Sequence, residues 1–502
     1  MSVVLSRSVF AQALIHVSRS SRKRSSSAHQ DSDTLQSMVT ARALDPRRWR
    51  RSTHVLFAVA VVLAIAALVL VASLTTGAST PRQAQNADPE PTLVTPKPGV
   101  MPVSDSAPVP TADGLAQALD KVLADPALAM FTGRVTDALS GRELWQQGST
   151  VPMVPASTNK VLTAAAALLT LDRAAKVTTS VVADTAGQRG LVTLVGGGDP
   201  ILSAAPADAD TWYRDAARIS DLADQVRRSG VTVTSITVDI SRFGGPSMAP
   251  GWDPADIDGG DVAPIQAVML DAGRTQPTDY DSRRSTTPAL DAGRALAAAL
   301  GVDPDMVRLD SAPPSAKSIA SVQSAPLMER LREMMNASDN VMAETIGREV
   351  ALASGRPQTF SGTVDAVTSQ LRSAGIDLTG LTLRDSSGLS VDDRVTARTL
   401  NEVIGAAAGP DQPKLRPLLD VLPIAGGSGT LSERFVIQNQ AAAGWLRAKT
   451  GSLTGVNTLA GVVTDVSGRV LTFTLMQNQA TAPTARNAVD NTAAVLRSCG
   501  CS

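Results

Sequence analysis

The chain has 502 residues, of which 43% are hydrophobic and 19% are charged, and its formal net charge is −1. This length and composition are ordinary for a globular enzyme of more than one domain. Residues 1–54 hold ten Lys and Arg against three Asp, whereas the rest of the chain holds 36 basic and 44 acidic residues. A mildly acidic body argues against a nucleic-acid partner.

The three histidines, His16, His29 and His54, all precede residue 55. The rest of the chain therefore has no imidazole to act as a base or a ligand, which excludes Ser-His-Asp hydrolysis, Cys-His proteolysis and His-ligated zinc there. No cluster of Asp and Glu suggests a metal site, so we expect neither a metal nor a cofactor. The two cysteines, Cys499 and Cys501, could form a disulfide, bind a metal or stay reduced.

An apolar segment follows a basic one near the start of the chain. Residues 1–54 are rich in Ser and Arg and are predicted to form a disordered cytoplasmic tail. Residues 55–72 carry no charged or strongly polar side chain, a run long enough to span a bilayer, so we predict a single uncleaved transmembrane helix at 55–74. A cleaved signal peptide is the alternative, because small residues follow at 78–80. Four arginines between 47 and 51 predict the tail inside the cell and an extracytoplasmic body at the cell membrane.

Residues 75–112 are predicted to form an extended linker. Positions 78–112 contain eight prolines among scattered Ala, Ser, Thr and Asp, and this composition cannot bury enough apolar surface to fold alone. Such a linker would hold the body at a distance from the membrane.

The body begins near Leu115 with a helical pattern and then alternates helix and strand signals. Ser467-Gly468 predicts a hairpin between its last two strands. The predicted helices cover 157–171, 209–228, 288–300, 325–336, 340–353, 363–374 and 484–497. The predicted strands cover 177–183, 190–195, 231–240, 461–466 and 470–476.

The first pattern that carries chemistry is Ser157-x-x-Lys160, at the start of an apolar helix. The spacing places both side chains on one face of the helix. A lysine buried there near other cations would have a lowered pKa and could take the proton of the serine hydroxyl without a histidine. Alone the pattern is weak, because a capping serine followed by a surface lysine also produces it.

The second pattern, Ser338-Asp339-Asn340, lies between two apolar helices, where a buried polar loop needs a purpose. Ser338 could relay a proton between Lys449, Lys160 and a leaving nitrogen, and Asn340 could bind the backbone of a peptide substrate. The alternative is a helix N-cap without a role in chemistry.

The third pattern is Lys449-Thr450-Gly451, which Ser452 follows. Lysine is scarce, at eight residues against 38 arginines, so a chance match is rare. The segment predicts an edge strand that binds a peptide by strand addition, with Lys449 and Thr450 recognising a terminal carboxylate. Gly451 would allow close approach of the ligand backbone. A turn with a surface lysine is the alternative.

The three patterns in this order resemble those of the serine penicillin-recognising enzymes. Further landmarks resemble the class C low-molecular-mass penicillin-binding proteins, which are D-alanyl-D-alanine carboxypeptidase/endopeptidases. These landmarks are Gly196-Gly197-Gly198-Asp199-Pro200, residues 238–243 with Pro250-Gly251-Trp252, Asp385-Ser386-Ser387-Gly388-Leu389-Ser390, and residues 422–431.

The resemblance implies an α/β (α+β) fold. A β-lactamase/transpeptidase-like acyl-transferase domain at 113–172 and 311–502, with an antiparallel sheet flanked by helices, would be split by an inserted α/β domain at 173–310. The implied activity is that of a serine-type D-Ala-D-Ala carboxypeptidase, with endopeptidase action as a further possibility. The implied partners are peptidoglycan stem peptides, β-lactam antibiotics and the membrane.

The same resemblance implies a role for each motif residue. Ser157 would attack the carbonyl of the penultimate D-Ala, while Lys160 takes its proton. Backbone N–H groups of Ser157 and Ser452 would form the oxyanion hole. The leaving D-Ala would be protonated through Ser338 and Lys449.

Two rival functions are weighed on the residues. A class A β-lactamase needs the deacylation motif E-x-x-L-N, but Leu400-Asn401 has Ala397 where the glutamate should be. A non-catalytic envelope scaffold or peptidoglycan-binding module is the other alternative, and the three intact motifs argue against it.

Overall fold

The structure, a computed structural model, describes residues 104–184, 190–480 and 484–501. The predicted tail, the predicted membrane segment and the predicted linker up to residue 103 lie outside the described residues. None of the described helices is both long and apolar enough to cross a bilayer.

The described chain contains both helices and strands along its length. The helices are α1 (Ala112–Leu123), α2 (Lys160–Thr170), α3 (Ile219–Arg228), α4 (Ala255–Gly259), α5 (Pro288–Leu300), α6 (Leu327–Asn336), α7 (Asn340–Ala353), α8 (Phe360–Ser373), α9 (Ala397–Ala408), α10 (Leu418–Val421) and α11 (Ala485–Ser498). The strands are β1 (Met130–Asp137), β2 (Glu143–Gln147), β3 (Pro152–Met153), β4 (Thr178–Ala183), β5 (Leu191–Val195), β6 (Asp199–Leu202), β7 (Ser235–Asp239), β8 (Val268–Leu270), β9 (Arg308–Leu309), β10 (Lys317–Gln323), β11 (Val395–Thr396), β12 (Leu446–Leu453), β13 (Val456–Thr464) and β14 (Val470–Asn478).

The larger domain is built on an antiparallel sheet of five strands in the order β12-β13-β14-β1-β2. Successive side chains of a strand point to opposite faces. In β14 the odd positions Leu471, Phe473 and Leu475 join the core formed with α1 and α11. The even position Thr472 faces the other side, where its hydroxyl accepts a hydrogen bond from Asn401 of α9 at 3.1 Å. Helices therefore cover both faces of the sheet.

Helix α2 lies in the middle of the second core, against α7 and α8. Its residues 164–167 are four alanines, all fully buried. Side chains this small let neighbouring helices approach closely, and their burial on every face explains why no polar stripe interrupts the apolar run.

A second, mixed sheet has the order β10-β4-β5-β7-β9, with parallel pairs at β5-β7 and β7-β9. Helices α3 and α5 pack on it around a separate core. Most of the sheet lies within residues 173–310, called the insertion below. It also includes β10, which follows residue 310 and pairs with β4. The predicted boundaries of the insertion stay a prediction.

The predicted fold class, an antiparallel sheet flanked by helices with an α/β insertion, is confirmed. The predicted bounds of two helices, 288–300 and 340–353, agree with α5 and α7. The hairpin at Ser467-Gly468 is confirmed between β13 and β14.

One predicted helix, 209–228, is wrong in its first half, because the helix begins at Ile219. The Arg218 guanidinium donates to the carbonyl groups of Ala205 and Ala209 and holds the preceding segment in a loop. This loop buries Tyr213 completely. The burial of one aromatic side chain outweighs the helical pattern of the segment.

The first and last described segments of the chain are tied to the large domain. Cys499 and Cys501 are joined by a disulfide. The carbonyl group of Cys501 accepts hydrogen bonds from the backbone N–H and the hydroxyl of Thr111, at 2.8 and 3.1 Å. Arg469 donates to the carbonyl of Asp105 at 2.9 Å and to the carboxylate of Asp137 at 2.7 Å.

Candidate active site

Ser157 lies on a single 3₁₀ turn, Ala156–Asn159, immediately before α2. The helix was predicted to begin at Ser157, but it begins at Lys160. The preceding Ala156 is fully buried with φ +47°, in the left-handed region that residues other than glycine rarely adopt. The turn is fixed because the hydroxyl groups of Thr158 and Thr458 donate to the carbonyl of Pro155 at 2.6 and 2.7 Å.

Lys160 is fully buried, and its Nζ donates to three oxygen atoms. These are Ser157 Oγ at 2.9 Å, Asn340 Oδ1 at 2.6 Å and the carbonyl oxygen of Ser387 at 2.9 Å. The predicted proximity of Ser157 and Lys160 is confirmed. An amine in direct contact with a serine hydroxyl is the arrangement that a lysine base requires.

Burial lowers the pKa of Lys160 to about 8, because the charged ammonium group loses its hydration. The sequence attributed part of this lowering to nearby cations, but burial is its main cause. Four acidic groups near Lys160 raise its pKa and partly oppose the effect of burial. They are the carboxyl groups of Asp385, Asp339, Glu344 and Asp261.

The second motif forms the turn between α6 and α7. Ser338 has φ +58° and its hydroxyl accepts from Lys449 Nζ at 2.9 Å. Asp339 is the N-cap of α7, since its carboxylate accepts from the N–H of Met342 at 2.9 Å. Asn340 accepts from Lys160 and donates to the carbonyl of Asp261 in the insertion at 3.0 Å. The cap predicted as an alternative is therefore present, together with contacts to both lysines.

Lys449 lies on β12, at the edge of the large sheet, and is fully buried. Its Nζ donates to Ser338 Oγ and to the carbonyl of Thr450, both at 2.9 Å. Burial lowers the pKa of Lys449 well below its ordinary value, and the positive charges of Lys160 and Arg434 lower it further. The edge strand predicted for this motif is present.

The rest of the third motif shows where glycine is needed. A Cβ on Gly451 would lie 2.1 Å from Thr458 Oγ1 and 2.6 Å from the carbonyl oxygen of Pro155. The glycine thus admits the turn that carries the serine, while the close approach of a ligand backbone stays a prediction. Thr450 Oγ1 shares a hydrogen bond of 2.7 Å with Thr430 Oγ1. Ser452 is exposed.

The motifs open on a cavity of about 870 Å³. Five of the eight residues predicted for the site line it, and Lys160, Lys449 and Gly451 lie behind them. The five lining residues are Ser157, Ser338, Asn340, Thr450 and Ser452. The structure therefore brings all three motifs together.

Among the lining residues outside the motifs, Gly251, Gly388, Leu389 and Thr430 belong to the landmarks noted in the sequence, but others were not predicted. The insertion contributes Asp256, Asp261 and Tyr280. Arg434 and Arg486 also line the cavity. No local pattern marks these residues, since they reach the cavity through tertiary contacts alone.

The described ranges 104–184, 190–480 and 484–501 contain no group of three or more His, Cys, Asp or Glu side chains arranged to hold a metal ion. The chemistry that the site can perform with its own side chains is acyl transfer. A serine on a tight turn is bonded to a lysine of lowered pKa, and a second serine–lysine pair lies opposite.

A profile of the D-Ala-D-Ala carboxypeptidase 3 (S13) family matches residues 115–281 and 278–497. The chain belongs to this family. A second profile, for the N-terminal domain of proteins like carboxypeptidase Rv3627c, matches residues 44–102. The family predicted from the motifs is confirmed, and with it the enzyme class, a serine-type D-Ala-D-Ala carboxypeptidase.

Two relatives in this family match nearly their full length. Carboxypeptidase DacB of Mycolicibacterium smegmatis is 64% identical over 459 residues, which cover 91% of this chain and 99% of the relative. Carboxypeptidase Rv3627c of Mycobacterium tuberculosis is 61% identical over 460 residues, which cover 91% of this chain and 100% of the relative.

The fold is similar to that of a solved structure, penicillin binding protein 4 of Haemophilus influenzae. The TM-score is 0.62 at 23% identity, and the match covers 76% of this chain and 98% of the other. This likeness supports the fold class, while the roles of individual site residues stay predictions.

Proposed function

We propose that this carboxypeptidase removes the terminal D-Ala of peptidoglycan stem peptides through an acyl-enzyme on Ser157, with Lys160 as the base. The observation that carries the proposal is the 2.9 Å contact between Lys160 Nζ and Ser157 Oγ, at a lysine whose pKa is lowered to about 8. A neutral amine at this distance can accept the hydroxyl proton as the oxygen attacks a carbonyl carbon.

The reaction has two stages. Ser157 Oγ bonds to the carbonyl carbon of the penultimate D-Ala, and the oxyanion is held by the backbone N–H groups of Ser157 and Ser452. The C–N bond then breaks, and the leaving amine takes the proton that Lys160 received, relayed by Ser338 and Lys449, whose Oγ and Nζ lie 2.9 Å apart. Water then attacks the ester while Lys160 takes one of its protons. The bond between the carbonyl carbon and Ser157 Oγ breaks, Oγ receives that proton, and the shortened peptide leaves with a new carboxyl group.

The free carboxylate of the substrate is the group that Lys449 and Thr450 would bind. Both lie on the edge strand β12, beside the cavity. An extended peptide could add to this edge through backbone hydrogen bonds, which fixes its scissile bond near Ser157. Asn340, which lines the same cavity, would contact the peptide backbone.

β-Lactam antibiotics would acylate the same serine. The H. influenzae protein with this fold was solved in complex with a β-lactam. In this chain the strained amide of the β-lactam would take the place of the scissile peptide bond, and its carboxylate would take the place of the terminal carboxylate at Lys449.

The test is a Ser157→Ala variant. With the wild-type protein, benzylpenicillin should add its mass covalently to the tryptic peptide that contains Ser157, and a pentapeptide should lose one D-Ala. The variant should show neither reaction. Ser311→Ala, at an exposed serine whose side chain lies outside the cavity, is the matched control and should behave as wild type. D-Ala release by the Ser157→Ala variant at the wild-type rate would contradict the mechanism.

Endopeptidase action is the finer part of the proposal. In a cross-linked peptide the same D-Ala carbonyl is joined by an amide bond to an amine of a second stem peptide. This amine, in place of the terminal D-Ala, would be the leaving group. Incubation with monomeric and cross-linked muropeptides, followed by mass analysis, separates the two. Loss of alanine from the monomer alone limits the enzyme to carboxypeptidase action.

We also propose that residues 55–74 anchor the protein in the cell membrane as a single span, with the catalytic body outside. The support is the uncharged run at 55–72 after a cluster of arginines. Protease added to intact spheroplasts should digest the body and spare the tail. Recovery of full-length protein in the soluble fraction would contradict this placement.

A further inference from the structure

Two segments that the sequence singled out, 250–252 and 385–390, have no part in the reaction as described so far. In the structure they pack against each other. The indole Nε1–H of Trp252 donates to Asp385 Oδ2 at 2.7 Å, and both side chains are buried. A Cβ on Gly251 would lie 2.4 Å from the hydroxyl oxygen of Ser390, the last serine in the 385–390 loop, so the Gly251 backbone packs directly on this side chain. The insertion thus reaches a loop of the large domain through a hydrogen bond to a carboxylate.

The carboxylate of Asp385 fixes the shape of the 385–390 loop. Its Oδ1 accepts from the N–H groups of Ser387 and Gly388 at 3.1 and 2.6 Å. Its Oδ2 accepts from the N–H of Ser390 at 2.8 Å as well as from Trp252. Only an ionised carboxylate has enough acceptor sites for four donors without offering a donor of its own.

The loop in turn presents its carbonyl groups to the helix that carries the base. The carbonyl oxygens of 385, 386 and 387 accept from Asn159 Nδ2 at 3.2 Å, Thr163 Oγ1 at 2.7 Å and Lys160 Nζ at 2.9 Å, in that order. A Cβ on Gly388 would lie 1.9 Å from the carbonyl oxygen of Ala156, so the loop also touches the serine turn. A displacement of the loop would therefore displace a direct partner of Lys160.

Charged groups around this loop also act on the pKa of Lys160. Burial and the negative charge of Asp385 raise the pKa of Asp393 to about 10, so Asp393 is neutral near pH 7. Glu344 accepts from the N–H of Ser386 at 2.9 Å, and burial raises its pKa to about 7. The titratable groups that face Lys160 are Asp261, Asp339, Glu344, Asp385 and Lys449.

We propose that Asp385 is a positioning residue for Lys160, and that Trp252 of the insertion holds the Asp385 carboxylate in place. The proposal rests on the function proposed above, in which Lys160 is the base. The carboxylate acts in two ways. It orients the loop carbonyl that accepts from Lys160 Nζ, and among the charged groups it contributes most to raising the pKa of Lys160. The insertion thereby supports the base without a contact to the reacting atoms.

The test compares Asp385→Asn, Trp252→Phe and the control Trp145→Phe, at a tryptophan on β2 of the large sheet. The rate constant for acylation by benzylpenicillin is measured for each from pH 5.5 to 9.5. In the plot of rate constant against pH, Asp385→Asn should lower the plateau at high pH by up to about 100-fold, the cost of a displacement of roughly 1 Å at a catalytic group. It should also move the rising limb to lower pH, because Lys160 loses its strongest opposite charge. Trp252→Phe should lower the plateau about tenfold without moving the limb.

Thermal melting and the fraction of protein acylated after long exposure show whether each variant is folded and count its active sites. A fall in rate for Asp385→Asn without a shift of the limb would indicate a merely structural role and overturn the proposal. So would a wild-type plateau in both variants. A wild-type protein that benzylpenicillin does not acylate at Ser157 would refute the proposed function itself, which separates the two failures.

Discussion

Lys160 and Lys449 lie in two regions of one site. The two lysines have similar contacts, but the charged groups that surround them differ in sign. Each is fully buried and donates to a serine hydroxyl at 2.9 Å. Lys160 is faced by four carboxyl groups, which oppose the effect of burial and keep its pKa at about 8. Lys449 is faced by the cations Lys160 and Arg434, which add to the effect of burial.

The difference indicates how two identical side chains divide the work. A lysine with a pKa near 8 exchanges its proton readily near neutral pH, as a base that acts in every cycle must. The lowered pKa of Lys449 makes its charged form less favourable in the empty site. A carboxylate bound beside it would raise that pKa again, because an opposite charge favours the ammonium form. Binding of the substrate carboxylate would thus stabilise the charged form of Lys449.

The largest effect is expected from replacing Lys160. Lys160→Met removes the base and should slow acylation by benzylpenicillin about 10³-fold, within the range for a general base. Lys160→Arg keeps the positive charge but cannot lose its proton, so it should be equally slow. The rates are measured by stopped flow on variants with a wild-type melting temperature. Recovery of activity in Lys160→Arg would show that charge, and not basicity, is what the site needs.

Replacing Lys449 should affect binding more than chemistry. Lys449→Gln should lower kcat/KM for a pentapeptide about 100-fold, the loss for a truncated charge-assisted hydrogen bond, and mainly through KM. A peptide that ends in a D-Ala amide carries no carboxylate. The variant should therefore lose much less activity with this peptide than with the free acid. An equal loss with both peptides would assign the main effect to the proton transfer through Ser338 and Lys449, and not to binding of the carboxylate.

The pH dependence of the rate and of KM should distinguish the roles of the two lysines, with a smaller effect than either substitution. Acylation requires neutral Lys160, so the rate at saturating substrate should rise about tenfold per pH unit below its pKa of about 8 and then level. Binding requires charged Lys449, so KM should increase as pH rises. Parallel profiles of kcat and KM check this. A rate that falls through pH 8 would contradict the assignment of the base.

The sequence predicted the contact between Ser157 and Lys160 because helical spacing fixes it locally. It predicted the meeting of the three motifs only through the family resemblance. The partners of the lysines could not be read from spacing. Asp261 and Ser387 lie about 100 and 230 residues from Lys160, and only the folded chain joins them to it.

The same limit applies to the strands of the large sheet. Strand β1 lies between β14 and β2 and is buried on both faces, so it lacks the alternation that predicts a half-buried strand. The strand at β13 was predicted from residue 461 but begins at Val456. Polar residues, Asn457 and Thr458, follow its first residue, and the hydroxyl of the buried Thr458 donates to the serine turn at Pro155. Local polarity therefore concealed a functional position.

The hydrogen bonds at the first and last described segments have a mechanical consequence. A pulling force on the chain before residue 104 would first be resisted by Arg469. Its side chain donates to the backbone carbonyl of Asp105 and is also bonded to Asp137 of β1. The next point of resistance is Thr111, held by the disulfide-closed C-terminus. A pull on that segment would act on strands β1 and β14 before it could separate α1 from the body, and none of these contact residues lines the cavity.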